Sequence, residues 1–520
     1  KIATIKPDAT LDEAIKKIHL PQDSNDIELA KRRLSFDELF LVSLRLQEIR
    51  KELSQHNAPA LKYENDILKK FVKSLPYKLT DAQRKTAWEI IQDISKKKPM
   101  NRLLEGDVGS GKTVVAAMAV LVASQNKMQS VWLSPTEILA NQHFVNIRKI
   151  FNNYCSSESE NSENNHFSLR SKNIKIGLLT AANKKADLQK DDLIIGTHAL
   201  IQKDIQIPNL GLIVVDEQHR FGVKQRAYLR KGTVSMGTVP ELVPHLLSMT
   251  ATPIPRTMAL TLYGDLDLSI IDEMPKGRQK IITKVIAPQS RAKAYQFIEN
   301  QIKNGRQAFV ICPLIEEGKV SDKLFDMDRK SAVKEYEKLR KEIFPHLRIG
   351  LMHGKLKSKE KDETMKKFAA GKIDILVSTA VVEVGIDIQN ATVMMIESAE
   401  RFGLAQLHQF RGRVGRGKHQ SYCFIFSESW SEETKKRLQA METHHSGFEL
   451  AEIDLQLRGP GELSGIRQSG LPDLRMASFS DIILVKKAKQ AAEDIVKEGI
   501  EKYPKLLEKL DEFESSHHLE

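Results

Sequence analysis

Gly106-Asp107-Val108-Gly109-Ser110-Gly111-Lys112-Thr113 decides the reading of this chain. It fits the pattern G-x-x-x-x-G-K-[ST], in which glycines free backbone N–H groups to wrap phosphate oxygens. Gly106, Gly109, Ser110 and Gly111 would form the cradle. Lys112 would sit against the outer phosphates, and the Thr113 hydroxyl would ligate Mg2+. Residues 102–105 fit the end of a strand, and 113–124 fit a very apolar helix. A chance glycine turn does not account for that spacing in that context.

Working outward, short apolar runs alternate with helical patterns. Residues 130–134, 193–196, 212–215 and 246–249 are brief and continuously apolar, as suits strands buried on both faces of a parallel sheet. A Pro/Gly/charged stretch around 273–277 reads as a linker. The alternation then restarts, with strands expected at 308–312, 348–352, 374–378, 393–396 and 422–426 and helices at 330–343 and 358–370. Two successive βα blocks predict two doubly wound α/β domains with parallel sheets. Residues 1–75 read as helical, with an amphipathic pattern through 31–52, and helices return after about 429. The expected division is a helical segment over 1–75, α/β domains over 76–275 and 276–429, and an α-helical C-terminal extension over 430–520. The run SSESENSENN at 156–165 is low in complexity and reads as a surface insertion.

Two further elements carry chemistry. Asp216-Glu217-Gln218-His219 directly follows the buried run 212–215, so its carboxylates would arrive at the sheet's carboxyl edge beside the phosphates. Asp216 would hold Mg2+, and Glu217 would orient and deprotonate the attacking water. Gln409-Phe410-Arg411-Gly412-Arg413-Val414-Gly415-Arg416 lies in the second block. It would set Arg413 and Arg416 across the cleft to stabilise charge on the transferring phosphoryl group.

These three elements, in this order, resemble superfamily 2 helicases and translocases, whose two domains are RecA-like. Other stretches are similar to that family's motifs. Gln83 in LTDAQ would read the adenine edge of ATP. Thr250-Ala251-Thr252 would link the ATP site to DNA. Thr136 in SPTE and Thr197 in GTH would lie in loops of the first domain that grip the DNA backbone, and Thr379 in ST and Asp387 in EVGID fit motif V of the second. DEQHRFG with His219, TATPIPRT, and RFGLAQLHQFRGRVGRG with Gln409 resemble the RecG family of bacterial branched-DNA helicases. So does the tail LRGPGEL with the downstream Gln468, which resembles a translocation motif shared with the transcription-repair coupling factor; Arg458 and Gln468 match its lead-in and loop. The resemblance implies an ATP- and Mg2+-dependent helicase or translocase acting on branched double-stranded DNA in repair and recombination. It further implies a monomer, cytoplasmic and nucleoid-associated in a bacterium, with single-strand-binding protein as a family partner. A duplex translocase of the transcription-repair type, and a nucleotide-dependent DNA-binding scaffold that does not turn over, stand as the alternatives. One departure is the N-terminal wedge of OB type expected in that family, since the 75 residues before the first block read as helical.

Composition agrees. Lys and Arg exceed Asp and Glu to give a net charge of +12, which favours a polyanionic partner. With 41% hydrophobic residues, sizeable cores can form. Three scattered cysteines without a CxxC pair argue against a disulfide scaffold or structural zinc. No apolar run reaches membrane-span length and the start lacks a signal-peptide pattern, so an intracellular protein without a membrane partner is expected. The chain opens at Lys1, as a piece of a longer protein would, and 517–520 resemble an expression-tag junction as much as native sequence.

Overall fold

The computed structural model describes residues 9–159, 174–181, 183–197, 200, 205–217, 242–252, 266–275, 277, 279–313, 332–354, 356–379, 388–458, 474, 476–477 and 481–517. Three helices open the described chain: α1 (Leu11–His19), α2 (Ser24–Gln55) and α3 (Asn65–Ser74). Thr10 starts α1 with a capping box, its hydroxyl accepting the Glu13 N–H while the Glu13 carboxylate accepts the Thr10 N–H. Thr80 and Gln83 start α4 (Asp81–Ile94) in the same way.

The first sheet has eight strands: β1 (Asn101–Gly106), β2 (Gln129–Leu133), β3 (Ile176–Leu179), β4 (Lys184–Lys185), β5 (Leu193–Gly196), β6 (Leu210–Val215), β7 (His245–Thr250) and β8 (Asp267–Ile271). Their order is β4-β3-β5-β2-β6-β7-β1-β8, parallel throughout except for β4 against β3. β6, with the sequence LGLIVV, is buried along its whole length, which is why it shows no alternation. Helices α5 (Lys112–Gln125) and α6 (Glu137–Ser159) follow β1 and β2. α5 buries all ten residues from 114 to 123, packed between the sheet and α4.

The second sheet runs β9 (Ile282–Ile286), β10 (Gln307–Cys312), β11 (Ile349–Met352), β12 (Ile375–Thr379), β13 (Ala391–Ile396) and β14 (Tyr422–Phe426), in the order β11-β12-β10-β13-β14-β9, all parallel. Apolar cores cover both faces. Phe309 and Phe368 meet edge to face on one side, while Phe344, Phe424 and Phe426 fill the other. Its helices include α7 (Arg291–Lys303), α8 (Ser358–Ala369) and α9 (Leu404–Arg411). In both sheets, parallel pairing brings the strand carboxyl ends, and hence the motif-bearing loops, to one edge.

Four helices complete the chain: α10 (Glu432–Thr443), α11 (Gly447–Arg458), α12 (Ile482–Glu498) and α13 (Pro504–His517). α12 packs along α2, with Leu39, Leu41 and Leu44 against Val485, Ala488, Ala492 and Ile495. The Glu38 carboxylate accepts the N–H groups of Met476 and Ala477, and the Ser35 hydroxyl donates to the Met476 carbonyl. The amphipathic stripe expected over 31–52 therefore has a partner more than 400 residues away.

The two parallel-sheet α/β domains and the flanking helices agree with the expected fold class. The linker expected around 273–277 falls between β8 and β9. β3, β4, β8 and β9 were not anticipated. They lie at or next to sheet edges, where strands are short and their apolar signal is weak. From residue 160 onward, the low-complexity run lies outside the described residues.

His245, fully buried at the start of β7, ties the segment after α2 to β1. Its Nδ1 accepts the Met100 N–H at 3.0 Å, which leaves its hydrogen on Nε2, and that nitrogen donates to the Pro59 carbonyl at 2.8 Å. Burial lowers the imidazole's proton affinity, partly opposed by the Pro59 carbonyl and Asp93. The folded value lies below the unfolded one, so this stability is intact above the unfolded value near about 6.5 and fades as pH falls through the folded value. Thermal melts from pH 7.5 to 5 should show wild type losing up to about 1.4 kcal/mol per pH unit more than His245→Ala below about pH 6.5. His245→Ala itself should be less stable at pH 7.5. Equal pH slopes in the two proteins would refute the assignment.

Candidate active site

The phosphate-loop sequence leaves the end of β1 and enters α5. Gly111 stands ahead of α5 at φ 90°, in the left-handed region that glycine tolerates. A Cβ there would lie 2.2 Å from Gln83 Nε2, so a side chain would push that amide off the Ser110 carbonyl. Gly109 also has positive φ, and a Cβ on Gly106 would lie 2.6 Å from Ser110 Oγ. The Ser110 hydroxyl is buried without a hydrogen-bond partner. A cradle closed to side chains, lined by backbone and holding an unpartnered hydroxyl, fits a triphosphate. Thr113 sits in the first turn of α5.

Lys112 Nζ donates to the carbonyls of Gly106 at 2.6 Å and Asp107 at 3.1 Å. Burial lowers its proton affinity, against the pull of Glu217, Asp216, Asp107 and Glu105. A triphosphate would compete with the two carbonyls for this ammonium.

The acidic pair ends β6. Asp216 Oδ2 lies 2.7 Å from His143 Nε2, and Oδ1 accepts the Glu217 N–H at 3.0 Å. Burial raises the Asp216 carboxyl, but His143 and Lys112 outweigh it and keep it below the usual carboxylate range. Glu217 goes the other way. Burial and the Asp216 charge raise it, only partly offset by Lys112 and Arg413. Adjacent carboxylates pushed in opposite directions suit opposite tasks, one holding a cation and one accepting a proton. Glu217 also has φ 50°, a left-handed conformation a non-glycine residue rarely adopts. Among the described residues, no group of three or more His, Cys, Asp or Glu side chains could hold a metal ion by itself. The donor set of Thr113 and Asp216 suits Mg2+, which binds few protein groups and completes its shell with phosphate and water.

A chain of contacts leads across the cleft. The Ala251 N–H donates to Glu217 Oε2 at 3.4 Å, the Thr250 hydroxyl accepts the Thr252 N–H at 3.1 Å, and Gln409 of α9 donates to the Thr252 hydroxyl at 2.7 Å. Arg413 is buried close enough to act on Glu217, and Arg416, further along the same segment, is half-buried.

Four other expected residues, Gln83, Thr136, Thr197 and Thr379, are partly or wholly buried. Gln83 is buried with both polar ends engaged inside the protein: Oε1 accepts the Thr80 N–H at 2.9 Å and Nε2 donates to the Ser110 carbonyl at 2.7 Å. In this arrangement it braces the phosphate loop rather than standing open to a base. Thr197, directly after β5, and Thr379, the last residue of β12, are 3% and 1% exposed. Thr136 is half-buried, and its hydroxyl accepts the Leu139 N–H at 3.4 Å in the first turn of α6. His219, Asp387 and Gln468, and the side chain of Arg458, lie outside the described residues.

Two histidines were missed. His143 on α6 packs tilted against Trp132, 5.1 Å between rings, and orients Asp216. His408 on α9 lies 3.0 Å from Asp107 of the phosphate loop. A lone histidine in a helical stretch carries no sequence signal for either contact.

The DEAD/DEAH box helicase family matches residues 80–261, the helicase conserved C-terminal domain matches 291–418, and domain 3, C-terminal, of the ATP-dependent DNA helicase RecG matches 444–508. The chain is 46% identical to a RecG of Synechocystis sp. across 96% of its length and 58% of the relative's. It is also 46% identical to a RecG of Thermotoga maritima, with 94% and 60% covered, and 43% identical to a RecG of Bacillus subtilis, with 93% and 68% covered. The chain thus spans about three fifths of the first two relatives. Among solved structures, a RecG bound to a three-way DNA junction superposes with a TM-score of 0.73 at 40% identity, covering 92% of this chain and 59% of that one. A DUF1998 helicase, MrfA, bound to DNA, at 16% identity and a TM-score of 0.51, shares the fold alone.

The site generates a paired test. Lys112→Ala should weaken binding of a fluorescent ATP analogue by about tenfold or more, because it removes the charge facing the phosphates. Glu217→Gln should bind the same analogue within about threefold of wild type, yet lose turnover by about 100-fold or more. Turnover persisting in Glu217→Gln would remove that residue from the role of base.

Proposed function

We propose a function from one premise: the chain belongs to the RecG family of ATP-dependent DNA helicases. It binds ATP between its two α/β domains and couples hydrolysis to movement along branched double-stranded DNA, in the processing of replication forks and recombination intermediates. The observation that carries this reading is the convergence on Glu217. Lys112 and Asp216 act on it from the first domain and Arg413 from the second.

In this reading Gly106, Gly109, Ser110, Gly111 and Lys112 receive the phosphates, while Thr113 and Asp216 would hold Mg2+, which when bound would supply positive charge against the phosphates. Glu217, its carboxyl raised by burial and by Asp216, orients the water and accepts its proton. Arg413 and Arg416 place positive charge where it develops on the transferring group. The contact of Gln409 with Thr252 makes the water-activating carboxylate sensitive to the position of the second domain. Phosphate-backbone contacts from a chain of net charge +12 would position DNA without reading its sequence. The intact acidic pair and Arg413 favour turnover over a static scaffold, and the match of 444–508 to RecG domain 3 favours RecG over the coupling factor.

ATP turnover should rise at least about tenfold with branched duplex DNA. DNA affinity should fall steeply with salt and vary little with sequence. The described part of residues 1–75 is helical and offers no strand platform for dividing a duplex. These 520 residues alone should therefore displace a triplex strand but open forks poorly. A salt titration of DNA binding on two unrelated sequences checks the affinity, and a side-by-side ATPase, triplex-displacement and fork-unwinding assay checks the rest. Absence of DNA-stimulated turnover overturns the function, and efficient fork opening overturns the reading of the N-terminal helices.

A further inference from the structure

Asp107 belongs to the phosphate-loop motif, but its side chain is turned to other partners. It is buried at 8% exposure. Oδ2 accepts the Gly447 N–H at 3.1 Å, across 340 residues of sequence, and Oδ1 stands 3.0 Å from His408 Nε2 in a bent approach. Gly447 is the first residue of α11, where backbone N–H groups lack helical acceptors and favour a carboxylate. Burial pushes the Asp107 carboxyl up, but His408, the Gly447 N–H and Lys112 outweigh it and hold it below the usual range.

The second contact is fixed by a third residue. Arg411 Nη2 lies 2.7 Å from His408 Nδ1, and arginine can only donate. Nδ1 therefore accepts, and the ring hydrogen of neutral His408 is on Nε2, the nitrogen beside Asp107. Arg411 also donates to the carbonyls of Met441, in the last turn of α10, and of His444 and His445, which join α10 to α11. The contacts close into a ring from the phosphate loop through α9 and the 441–447 junction back to Asp107. Packing leaves the ring little slack, since a Cβ on Gly412 would lie 3.0 Å from Val108 Cβ.

We infer that Asp107 is a positioning residue through which the phosphate loop holds the junction of α10 and α11 directly, in addition to the route through the second domain. The inference rests on the reading of this loop as the ATP site. Lys112 donates to the Asp107 carbonyl, so phosphates that draw the ammonium away release the peptide whose side chain holds Gly447. The state of the loop thus reaches the C-terminal helices through one residue.

Amide exchange at residues 445–450 tests this, first without nucleotide and then with saturating ADP. Without nucleotide, Asp107→Ala and His408→Ala should each speed exchange there by about fivefold or more, and the double variant should be no faster than the quicker single one. Asp107→Asn keeps an acceptor for Gly447 and loses the charge, so it should fall between, and it serves where the alanine variant fails to fold. ADP should shift these amides in wild type, and the shift should be at least about threefold smaller in Asp107→Asn, a loss that a purely structural contact would not produce. Wild-type exchange in Asp107→Ala, no ADP response in wild type that binds ADP, or a full response in Asp107→Asn overturns the inference. The first arm uses neither nucleotide nor DNA, so its failure is distinct from failure of the ATPase reading, which shows as wild type that does not bind ADP.

Discussion

A lysine ammonium withdrawn from bulk water, bonded to two loop carbonyls and within electrostatic reach of four carboxyl groups, is the constraint on which the rest of the structure depends. Lys112 feels Glu217, Asp216, Asp107 and Glu105 together. Separated, each would be a buried charge costing several kcal/mol. Only the parallel order β6-β7-β1 brings their strand ends side by side, so the order of the first sheet and the electrical balance of its edge are one requirement. The burial of α5 from 114 to 123 follows, because the helix that carries Lys112 must be held rigidly at its first turn.

The second domain contributes by approach. Its own sheet has a core around Phe309 and Phe368, while Gln409, His408 and Arg413 reach groups of the first domain across the cleft. Such contacts are few and polar, which suits surfaces that separate and rejoin. The positive φ of Glu217 belongs to the same economy, since a strained backbone persists where its surroundings hold it.

The phosphate loop, the acidic pair and the buried strands were legible because each is local: a glycine spacing, or an apolar run as long as a strand. Edge strands such as β4, two residues long, carry too little pattern to be read. Long-range pairs were invisible for a different reason. His143 and His408 become informative only once folding sets Asp216 and Asp107 beside them, and Gln83 is committed to the phosphate loop by the approach of α4 to Gly111. The amphipathic stripe on α2 announced a partner without saying which, because many apolar faces would satisfy it.

That stripe sets a schedule for synthesis. The face of α2 bearing Leu39 and Leu44 leaves the ribosome long before α12, and the bond from Ser35 to Met476 spans 441 residues. At about 5–20 residues per second, the interval is roughly 20–90 s. Both α/β domains can fold within it while an apolar ridge beside them stays uncovered. That ridge stays open to misassociation until α12 is made, and a chaperone acting in the interval would need to shield one helix face.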